Sequence, residues 1–294
     1  MLIQKTDIFC RYVLGKDPER VLHIASFPND YYDQFYQAKK DKNGNKRKNK
    51  PQYIERFGFY WTRTINPPKE ELKQIQKSIN KYLVDNVSMP AYAFGGVKGR
   101  DNILNARMHK GKKYVFQTDL RDFFPFVTNR MVYGMLVTKG LSPDVASLIT
   151  KLTTVNGHLP QGAPTSTTVA NLVFEPVGDR IMALSEEHGL LFTTFVDDVT
   201  ISSQTDFKNL VPIVMEMIQS AGFKISQGKT SYKSGITTIT GVKMKNNALA
   251  VPDKILSAIS SEQGEQTNRA RGLLNYAKRI KDVSARKHTI LGNK

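Results

Sequence analysis

The feature that most constrains this chain is a pair of adjacent aspartates, Asp197 and Asp198, between two short runs of alternating apolar and polar residues. Such runs, here 191–196 and 199–202, are typical of two β-strands that meet at a tight turn. Two neighbouring carboxylates at a hairpin tip repel each other, so the arrangement suits a site where a cation neutralises them. A solvated turn is the simpler interpretation, because aspartate is a common turn residue. The pair alone favours the solvated turn.

A second segment shifts the balance towards a metal site. Residues 114–118 form an apolar, β-branched-rich run that ends at Asp119, as expected of a carboxylate at the end of a buried strand. A third carboxylate beside Asp197 and Asp198 would complete an all-oxygen site suited to Mg²⁺. Two such ions about 4 Å apart can clamp the attacking and leaving oxygens of a phosphoryl transfer. If the two segments meet in the fold, Asp119, Asp197 and Asp198 would form a catalytic site of this kind that binds two Mg²⁺ ions, with Mn²⁺ as an alternative.

The order of these segments resembles the palm motifs of a reverse transcriptase. Asp119 is followed by Leu-Pro-Gln-Gly-Ala-Pro-Thr-Ser at 159–166, Phe-Val-Asp-Asp at 195–198, Gly-Phe-Lys-Ile at 222–225 and Lys-Thr at 229–230. The retron type fits best, because 105–109 resembles its Asn-Ala-x-x-His element and Ile-Thr-Gly at 239–241 its Val-Thr-Gly element. Each piece is weak, but the combination in order over roughly residues 60 to 245 is specific.

The resemblance implies an α+β fold, the right-hand polymerase with fingers, palm and a small helical thumb. We expect fingers over 1–88 with part of 125–160, an antiparallel palm sheet backed by helices over 89–245, and a short basic thumb over 246–294. The implied activity is an RNA-directed DNA polymerase that copies a cognate structured non-coding RNA into msDNA from dNTPs. The implied setting is anti-phage defence with a separately encoded effector protein.

Composition agrees with a nucleic-acid partner. The net charge is +17, from 43 Lys and Arg against 26 Asp and Glu, which predicts a polyanionic partner, with an anionic membrane as the second choice. No apolar run is long enough to span a bilayer, and the N-terminus lacks a signal-peptide pattern. Cys10 is the single cysteine, so no internal disulfide framework is possible. We expect a cytoplasmic protein with no membrane partner.

Three nucleotide-binding predictions concern the triphosphate and the sugar. The resemblance implies that Arg63 reaches the triphosphate with Lys69 close by, and a guanidinium fork matches phosphate oxygens. An ordinary exposed strand arginine is the alternative. The resemblance also implies that Phe124 packs against the sugar and leaves no room for a 2′-hydroxyl, which would favour deoxynucleotides.

Three further residues are carried over in the same way. Asp122 is expected near the triphosphate, acting through its backbone N–H, and Gln161 is expected to contact the incoming nucleotide. Lys229 is expected near the leaving pyrophosphate, where an ammonium can act as an acid or an electrostatic stabiliser. A plain surface lysine is an equally weighted alternative for Lys229.

Two basic stretches are candidate nucleic-acid contacts. Residues 39–50 carry seven basic residues against one acid and no apolar residue, which predicts a turn or loop. The tail from residue 269 mixes basic and apolar residues, which predicts one or two amphipathic helices that face an RNA-DNA hybrid. The residues predicted to contact nucleic acid in these stretches are Lys46, Arg47, Lys48, Arg269, Arg271, Lys278 and Arg279. A solvated basic face is the alternative for both. Because the thumb is short, we expect a separate RNA, a partner protein or an oligomer contact to complete the binding of the duplex.

Three other features carry expectations. The resemblance implies that Asn105 and His109 handle the structured RNA, whereas a hydrogen-bonded structural histidine is the general expectation. The glycine-rich stretch 94–100 could bring backbone N–H groups and Arg100 to phosphate, although it lacks a Walker ending. Pro176 lies in an apolar helical run that begins near 166, and we predict that it kinks or interrupts that helix.

Two rival functions remain. One is another defence-associated or abortive-infection reverse transcriptase, with protein-primed or template-independent synthesis. The other is a non-catalytic RNA-binding scaffold. The three acidic positions argue against the scaffold, because a pure binder needs no clustered carboxylates.

Overall fold

The chain divides into two compact units. The computed structural model describes residues 2–40, 45–49, 61–245, 247–262 and 267–285. The first unit comprises Met1–Met89 and Phe124–Val173, and the second comprises Pro90–Phe123 and Phe174–Lys294. Helices and antiparallel strands occur together, so the predicted α+β class is confirmed. The assignment of fingers, palm and thumb stays a prediction.

The elements are numbered in chain order. The helices are α1 (Thr6–Ile8, continued by a π-helical turn, Phe9–Leu14), α2 (Pro18–Ser26), α3 (Glu70–Asn86), α4 (Asn102–Met108), α5 (Phe123–Phe126), α6 (Asn129–Thr138), α7 (Pro143–Thr153), α8 (Ser166–Glu187), α9 (Val211–Ser220), α10 (Asp253–Ser261) and α11 (Asn268–Ala285). The strands are β1 (Phe35–Ala38), β2 (Thr62–Ile65), β3 (Tyr114–Asp119), β4 (Leu191–Phe195), β5 (Asp198–Ser203), β6 (Ser231–Ser234), β7 (Thr237–Ile239), β8 (Val242–Lys245) and β9 (Ala248–Ala250). Among the described residues, none of these helices is both long enough and apolar enough to cross a bilayer.

The first unit is mainly helical. Side-chain caps begin α2, α6 and α7; in α7, Ser142 accepts a hydrogen bond from the Val145 N–H ahead of Pro143. The buried Gln76 of α3 donates to the Tyr32 hydroxyl at 2.7 Å and to the Leu152 carbonyl at 2.8 Å, which ties α3 to α7. β1 and β2 form a separate antiparallel pair.

The second unit is built on a four-stranded antiparallel sheet with the order β4-β5-β3-β6. Phe192, Val199 and Ile201 are buried on one face of the sheet, and polar residues of the other face, among them Thr193 and Ser202, are buried as well. β3 pairs with β5 so that Asp119 lies directly opposite Asp198. This register brings the end of β3 to the hairpin turn.

A smaller sheet of β7, β8 and β9 packs with α4, α10 and α11 in the same unit. Its core is apolar and includes Ile103 of α4, Val115 of β3 and Ile280 of α11. Burial of this kind is the main stabilising term for such a layer. α11 therefore packs on a core that also includes a residue of β3 in the larger sheet.

The expected interruption at Pro176 does not occur. α8 runs continuously from Ser166 to Glu187 with Pro176 inside it. Proline removes one N–H donor from a helix, but tertiary packing can outweigh that cost. Phe174 and Val177 on either side of Pro176 are buried, so the helix is held by its packing.

Candidate metal centre

The turn between β4 and β5 is tight and strained. Phe195 pairs with Asp198, which leaves Val196 and Asp197 as the two turn residues. Val196 has φ 59°, a left-handed value that β-branched residues rarely adopt. A Cβ on Gly95 would lie 2.5 Å from Val196 Cγ2 and 2.6 Å from Val196 N. The turn therefore packs directly against Gly95. Any residue with a Cβ at position 95 would force the backbone of the turn or of Gly95 to move.

Backbone hydrogen bonds hold the segment before Gly95 beside β4. The Phe94 N–H donates to the Thr194 carbonyl and the Thr194 N–H donates to the Tyr92 carbonyl, both at 2.8 Å. Arg100 Nη1 donates to the carbonyls of Pro90 and Ala91 at 3.1 and 2.8 Å. Arg100 therefore shapes this segment, and the approach of its backbone N–H groups to phosphate stays a prediction.

The structure brings the three predicted carboxylates together. Asp119, Asp197 and Asp198 each offer one oxygen, and these oxygens lie within 4.8 Å of one another. The Leu120 N–H donates to the Asp197 carbonyl at 2.8 Å, which fixes the end of β3 on the turn. An all-oxygen donor set of this kind fits a divalent cation such as Mg²⁺.

The electrostatics of the site also favour a cation. Burial, followed by the charges of Asp197 and Asp119, raises the pKa of Asp198 to about 6. Burial and the Asp119 carboxylate likewise raise the pKa of Asp197. The charges of Asp119 and Asp197 thus oppose ionisation of Asp198, and a bound cation would relieve that repulsion.

Lys229 supplies a positive charge at the edge of the site. It ends a 3₁₀ turn, Gln227–Lys229, and its Nζ lies 2.5 Å from Asp119 Oδ2. Burial lowers the pKa of Lys229, but the hydrogen bond to Asp119 and the charges of the three carboxylates outweigh it, so the net pKa is raised. Lys229 is therefore a charged ammonium in contact with one of the three carboxylates.

Two predicted triphosphate ligands lie on the surface of the first unit. Arg63, on β2, is exposed and its Nε donates to Gln37 Oε1 at 2.9 Å. Lys69 precedes α3 and its Nζ donates to the Asp30 carbonyl at 2.8 Å. Both cations are thus held by neutral oxygens, and their nucleotide contacts stay predictions.

The other predicted nucleotide contacts differ in their surroundings. The Gln161 carbonyl accepts from the Asn66 N–H at 2.8 Å, while its Oε1 is buried without a hydrogen-bond partner. Phe124 is half-buried. Asp122 is exposed, has φ 53°, and lies 3.6 Å from Arg121 Nε. The roles predicted for these residues stay predictions.

The described part of the first basic stretch forms no helix or strand, as expected of a turn or loop, and backbone hydrogen bonds hold it. The Arg47 N–H donates to the Lys39 carbonyl at 2.8 Å, and the Trp61 N–H donates to the Arg47 carbonyl at 2.9 Å. The Arg47 guanidinium also lies 5.6 Å from the centre of the Trp61 ring. Lys46, Arg47 and Lys48 are exposed. Residues 41–44 and 50 of this stretch lie outside the described residues.

The second basic stretch forms one helix, α11, over its described part. Arg271 and Lys278 are exposed on it. Arg269 forms an ion pair with Glu262 at 3.0 Å, and Arg279 forms one with Asp101. The basic residues at 286–294 lie outside the described residues.

Asn105 and His109 do not lie on the surface. Their side chains are 1% and 0% exposed, so neither can touch a nucleic acid directly in this structure. The direct RNA contact expected of them is therefore corrected to an internal position. His109 contacts two residues of the hairpin, Thr193 and Ser202, that the sequence did not mark because they look like ordinary strand residues.

Comparison with known proteins gives a consistent family. The family model described as reverse transcriptase (RNA-dependent DNA polymerase) matches residues 58–263. The chain is 33% identical over 171 residues to the retron Ec86 reverse transcriptase of Escherichia coli, covering 57% of this chain and 53% of that protein. It is 32% identical over 195 residues to the retron Se72 reverse transcriptase of Salmonella heidelberg (strain 579083-10), covering 63% and 52%.

A third relative covers more of this chain. The retron Mx65 reverse transcriptase of Myxococcus xanthus is 29% identical over 245 residues, covering 76% of this chain and 55% of that protein. The chain thus spans about half the length of the curated relatives it matches.

Proposed function

Because the chain belongs to the reverse transcriptase family and is similar to retron reverse transcriptases, we propose that it is an RNA-directed DNA polymerase of the retron type. The observation that carries this proposal is the grouping of Asp119, Asp197 and Asp198 oxygens within 4.8 Å of one another. All three lie inside the range that the family model matches. A carboxyl such as that of Asp198, whose pKa is raised by burial and by the charges of neighbouring carboxylates, is costly for a protein that only binds RNA.

The chemistry follows from what the carboxylates and Lys229 can do. Two Mg²⁺ ions at the aspartates would lower the pKa of the primer hydroxyl and stabilise the leaving pyrophosphate. Asp119 and Asp198 face each other across β3 and β5, so the sheet register holds their oxygens in place. Lys229 carries a proton at Nζ beside Asp119, where it can stabilise or protonate the leaving group.

Nucleotide binding is assigned to residues of the first unit and to Asp122. The Arg63 guanidinium and the Lys69 ammonium would bind the triphosphate, and both are exposed. Gln161 would contact the incoming nucleotide, and its Oε1, which has no hydrogen-bond partner among the described residues, supports that role. The half-buried ring of Phe124 would exclude a 2′-hydroxyl, and Asp122 would offer its backbone N–H.

The template would be a cognate structured RNA that also provides the priming 2′-hydroxyl, and the product would be msDNA. The net charge of +17 supports a polyanionic partner, and α11 would bind the RNA-DNA hybrid through Arg271 and Lys278. Lys46, Arg47 and Lys48 would contact a phosphate backbone. We place this activity in anti-phage defence with a separately encoded effector.

The test is to purify the protein from cells with its nucleic acid and sequence that material with and without RNase and DNase. The wild type is compared with Asp197→Ala plus Asp198→Ala, and with a matched control, Glu186→Ala plus Glu187→Ala, which removes two exposed carboxylates from α8. A branched RNA-DNA molecule in the wild type and the control, absent from the aspartate variant, is expected. DNA attached to a tyrosine or serine would instead identify a protein-primed enzyme. RNA without DNA in every sample would refute constitutive msDNA synthesis.

A further inference from the structure

The short helix α4 lies between the C-terminal helix and the hairpin that carries Asp197 and Asp198. Asp101 caps its first turn by accepting from the Leu104 N–H at 2.8 Å. Ile103 and Ala106 pack into the core that contains Val115 of β3. Its C-terminal cap is His109, which is fully buried. The helix is thus fixed on the sheet, and it ends at a histidine in the interior.

Both ring nitrogens of His109 are bonded to the hairpin. Nδ1 lies 2.7 Å from Ser202 Oγ on β5, and Nε2 lies 2.7 Å from Thr193 Oγ1 on β4. Thr193 and Ser202 are 1% and 0% exposed. One side chain therefore bridges the two strands of the hairpin from a third element.

The bridge uses a neutral imidazole. Burial, with a smaller effect of the Lys112 charge, lowers the pKa of His109 to about 3. A neutral ring has one N–H donor and one acceptor nitrogen, and hydroxyl groups can complement either arrangement. Thr193 and Ser202 therefore satisfy both nitrogens, and no water is needed.

The two hydroxyls are a diagonal pair across the strands. Thr193 lies opposite Thr200, and Ser202 is two residues beyond Thr200 on the same face of β5. Asp198 is two residues before Thr200, so alternation places it on that face as well. Ser202 lies four residues from Asp198, which is about 13 Å along an extended strand. His109 therefore acts on the carboxylates only through the strands.

A bridge of this kind specifies register. A one-residue slip of β4 on β5 would move Thr193 to the opposite face and leave the buried imidazole without a partner. Apolar residues at the same three positions would bury equally well but would tolerate small displacements. The polar bridge thus adds precision to the hairpin beyond what its burial supplies.

The other end of α4 is tied to α11. Asn102 Nδ2 donates to the Tyr276 hydroxyl at 2.7 Å and to the Thr240 carbonyl at 3.0 Å. Asp101 forms an ion pair with Arg279. A substitution that removes one of these contacts at the N-terminal end of α4 is therefore a matched control for substitutions of His109 at its C-terminal end.

We propose that His109 is a positioning residue for the metal centre, because its two hydrogen bonds fix β4 on β5 and thereby the placement of Asp197 and Asp198. The proposal rests on the proposed function only in taking these aspartates as metal ligands. It is tested by metal binding and by hairpin opening, neither of which requires polymerase activity.

The experiment compares three variants of the full chain with the wild type. His109→Leu removes the bridge and leaves two buried hydroxyls unpaired. The triple variant His109→Leu, Thr193→Val, Ser202→Ala removes all the polar partners together, which is expected to recover most of the stability. Tyr276→Phe removes the hydroxyl that Asn102 contacts at the far end of α4. Mn²⁺ binding is measured by electron paramagnetic resonance, and amide hydrogen exchange is measured for residues 191–203.

We expect both His109 variants to bind Mn²⁺ about tenfold more weakly and to exchange faster over 191–203. The triple variant should do so although its melting temperature is near that of the wild type, and Tyr276→Phe should keep wild-type affinity. A triple variant with wild-type affinity and exchange would overturn the proposal, as would an equal loss in Tyr276→Phe. If His109→Leu does not fold, the Mn²⁺ affinity and the hydrogen exchange of the triple variant test the proposal. A wild type that binds no Mn²⁺ would contradict the proposed function, while hydrogen exchange would still report whether His109 holds the hairpin.

Discussion

Asp198→Asn is expected to stabilise the metal-free protein while it weakens metal binding. Burial and the charges of Asp197 and Asp119 raise the pKa of Asp198 from 3.8 to about 6. This difference corresponds to about 3 kcal/mol between the two protonation states. Because the folded protein holds this proton more tightly than the unfolded chain, the contribution to stability is present below pH 3.8 and is lost as the pH rises through 6. An amide cannot ionise, so the variant should not suffer that loss.

The assay is urea unfolding in EDTA at two pH values. At pH 7.5 the variant should gain up to about 3 kcal/mol in free energy of unfolding over the wild type, and at pH 5 roughly half of that. Asp33→Asn, which neutralises an exposed carboxylate in the first unit, should change stability little. With Mg²⁺ in place of EDTA, the wild type should gain stability and Asp198→Asn should gain much less.

Two results would refute this reasoning. A variant less stable than the wild type in EDTA at pH 7.5 would mean that charge repulsion does not govern the metal-free site. A gain that is the same at pH 5 and pH 7.5 would mean that the gain does not come from ionisation of Asp198.

The other predictions concern the turn, the lysine and the sugar contact. Gly95→Ala should cost about 1 to 3 kcal/mol in urea unfolding, because its Cβ would lie 2.5 Å from Val196 Cγ2, whereas Gly134→Ala, with open space around it, should not destabilise. A neutral result for Gly95→Ala would contradict the tight packing of the turn. Lys229→Gln should lower kcat about a hundredfold with little change in the KM for dNTP in primer extension, and a pure KM effect would exclude its role at the leaving group. Phe124→Ala should lower the ratio of kcat/KM for dNTP over rNTP at least about tenfold, and an unchanged ratio would remove it from the sugar site.

The hairpin could be predicted from sequence because its signal is local. Alternation on both sides of Asp197 and Asp198 specifies two strands and a turn, and both strands form where expected. The approach of Asp119 is different, because its partner Asp198 is distant in the chain and no periodicity reports which strands pair. That prediction depended on the order of motifs, which carries information about the fold that a single segment does not.

The burial of polar residues was the feature that the sequence predicted least well. The resemblance implied that Asn105 and His109 handle the RNA, yet both are internal, and His109 is the hydrogen-bonded structural histidine that is the general expectation. Thr193 and Ser202 are ordinary strand residues in sequence, and only the tertiary structure shows that they satisfy the ring of His109. The interruption expected at Pro176 does not occur for a related reason, since packing overrides local propensity in a buried helix, while a kink at Pro176 stays a prediction.

The metal centre is where local preferences are violated most. Val196 holds a left-handed backbone that disfavours its side chain, and Asp197 and Asp198 each have a raised pKa because they are half-buried beside like charges. These costs are offset in the same unit, where Gly95 leaves room for the turn and His109 bonds both strands behind it. Strain and repulsion persist at a site only when its surroundings hold it in place. The residues that support the hairpin therefore show no sign of that role in the sequence, because each acts through contacts that only the folded chain makes.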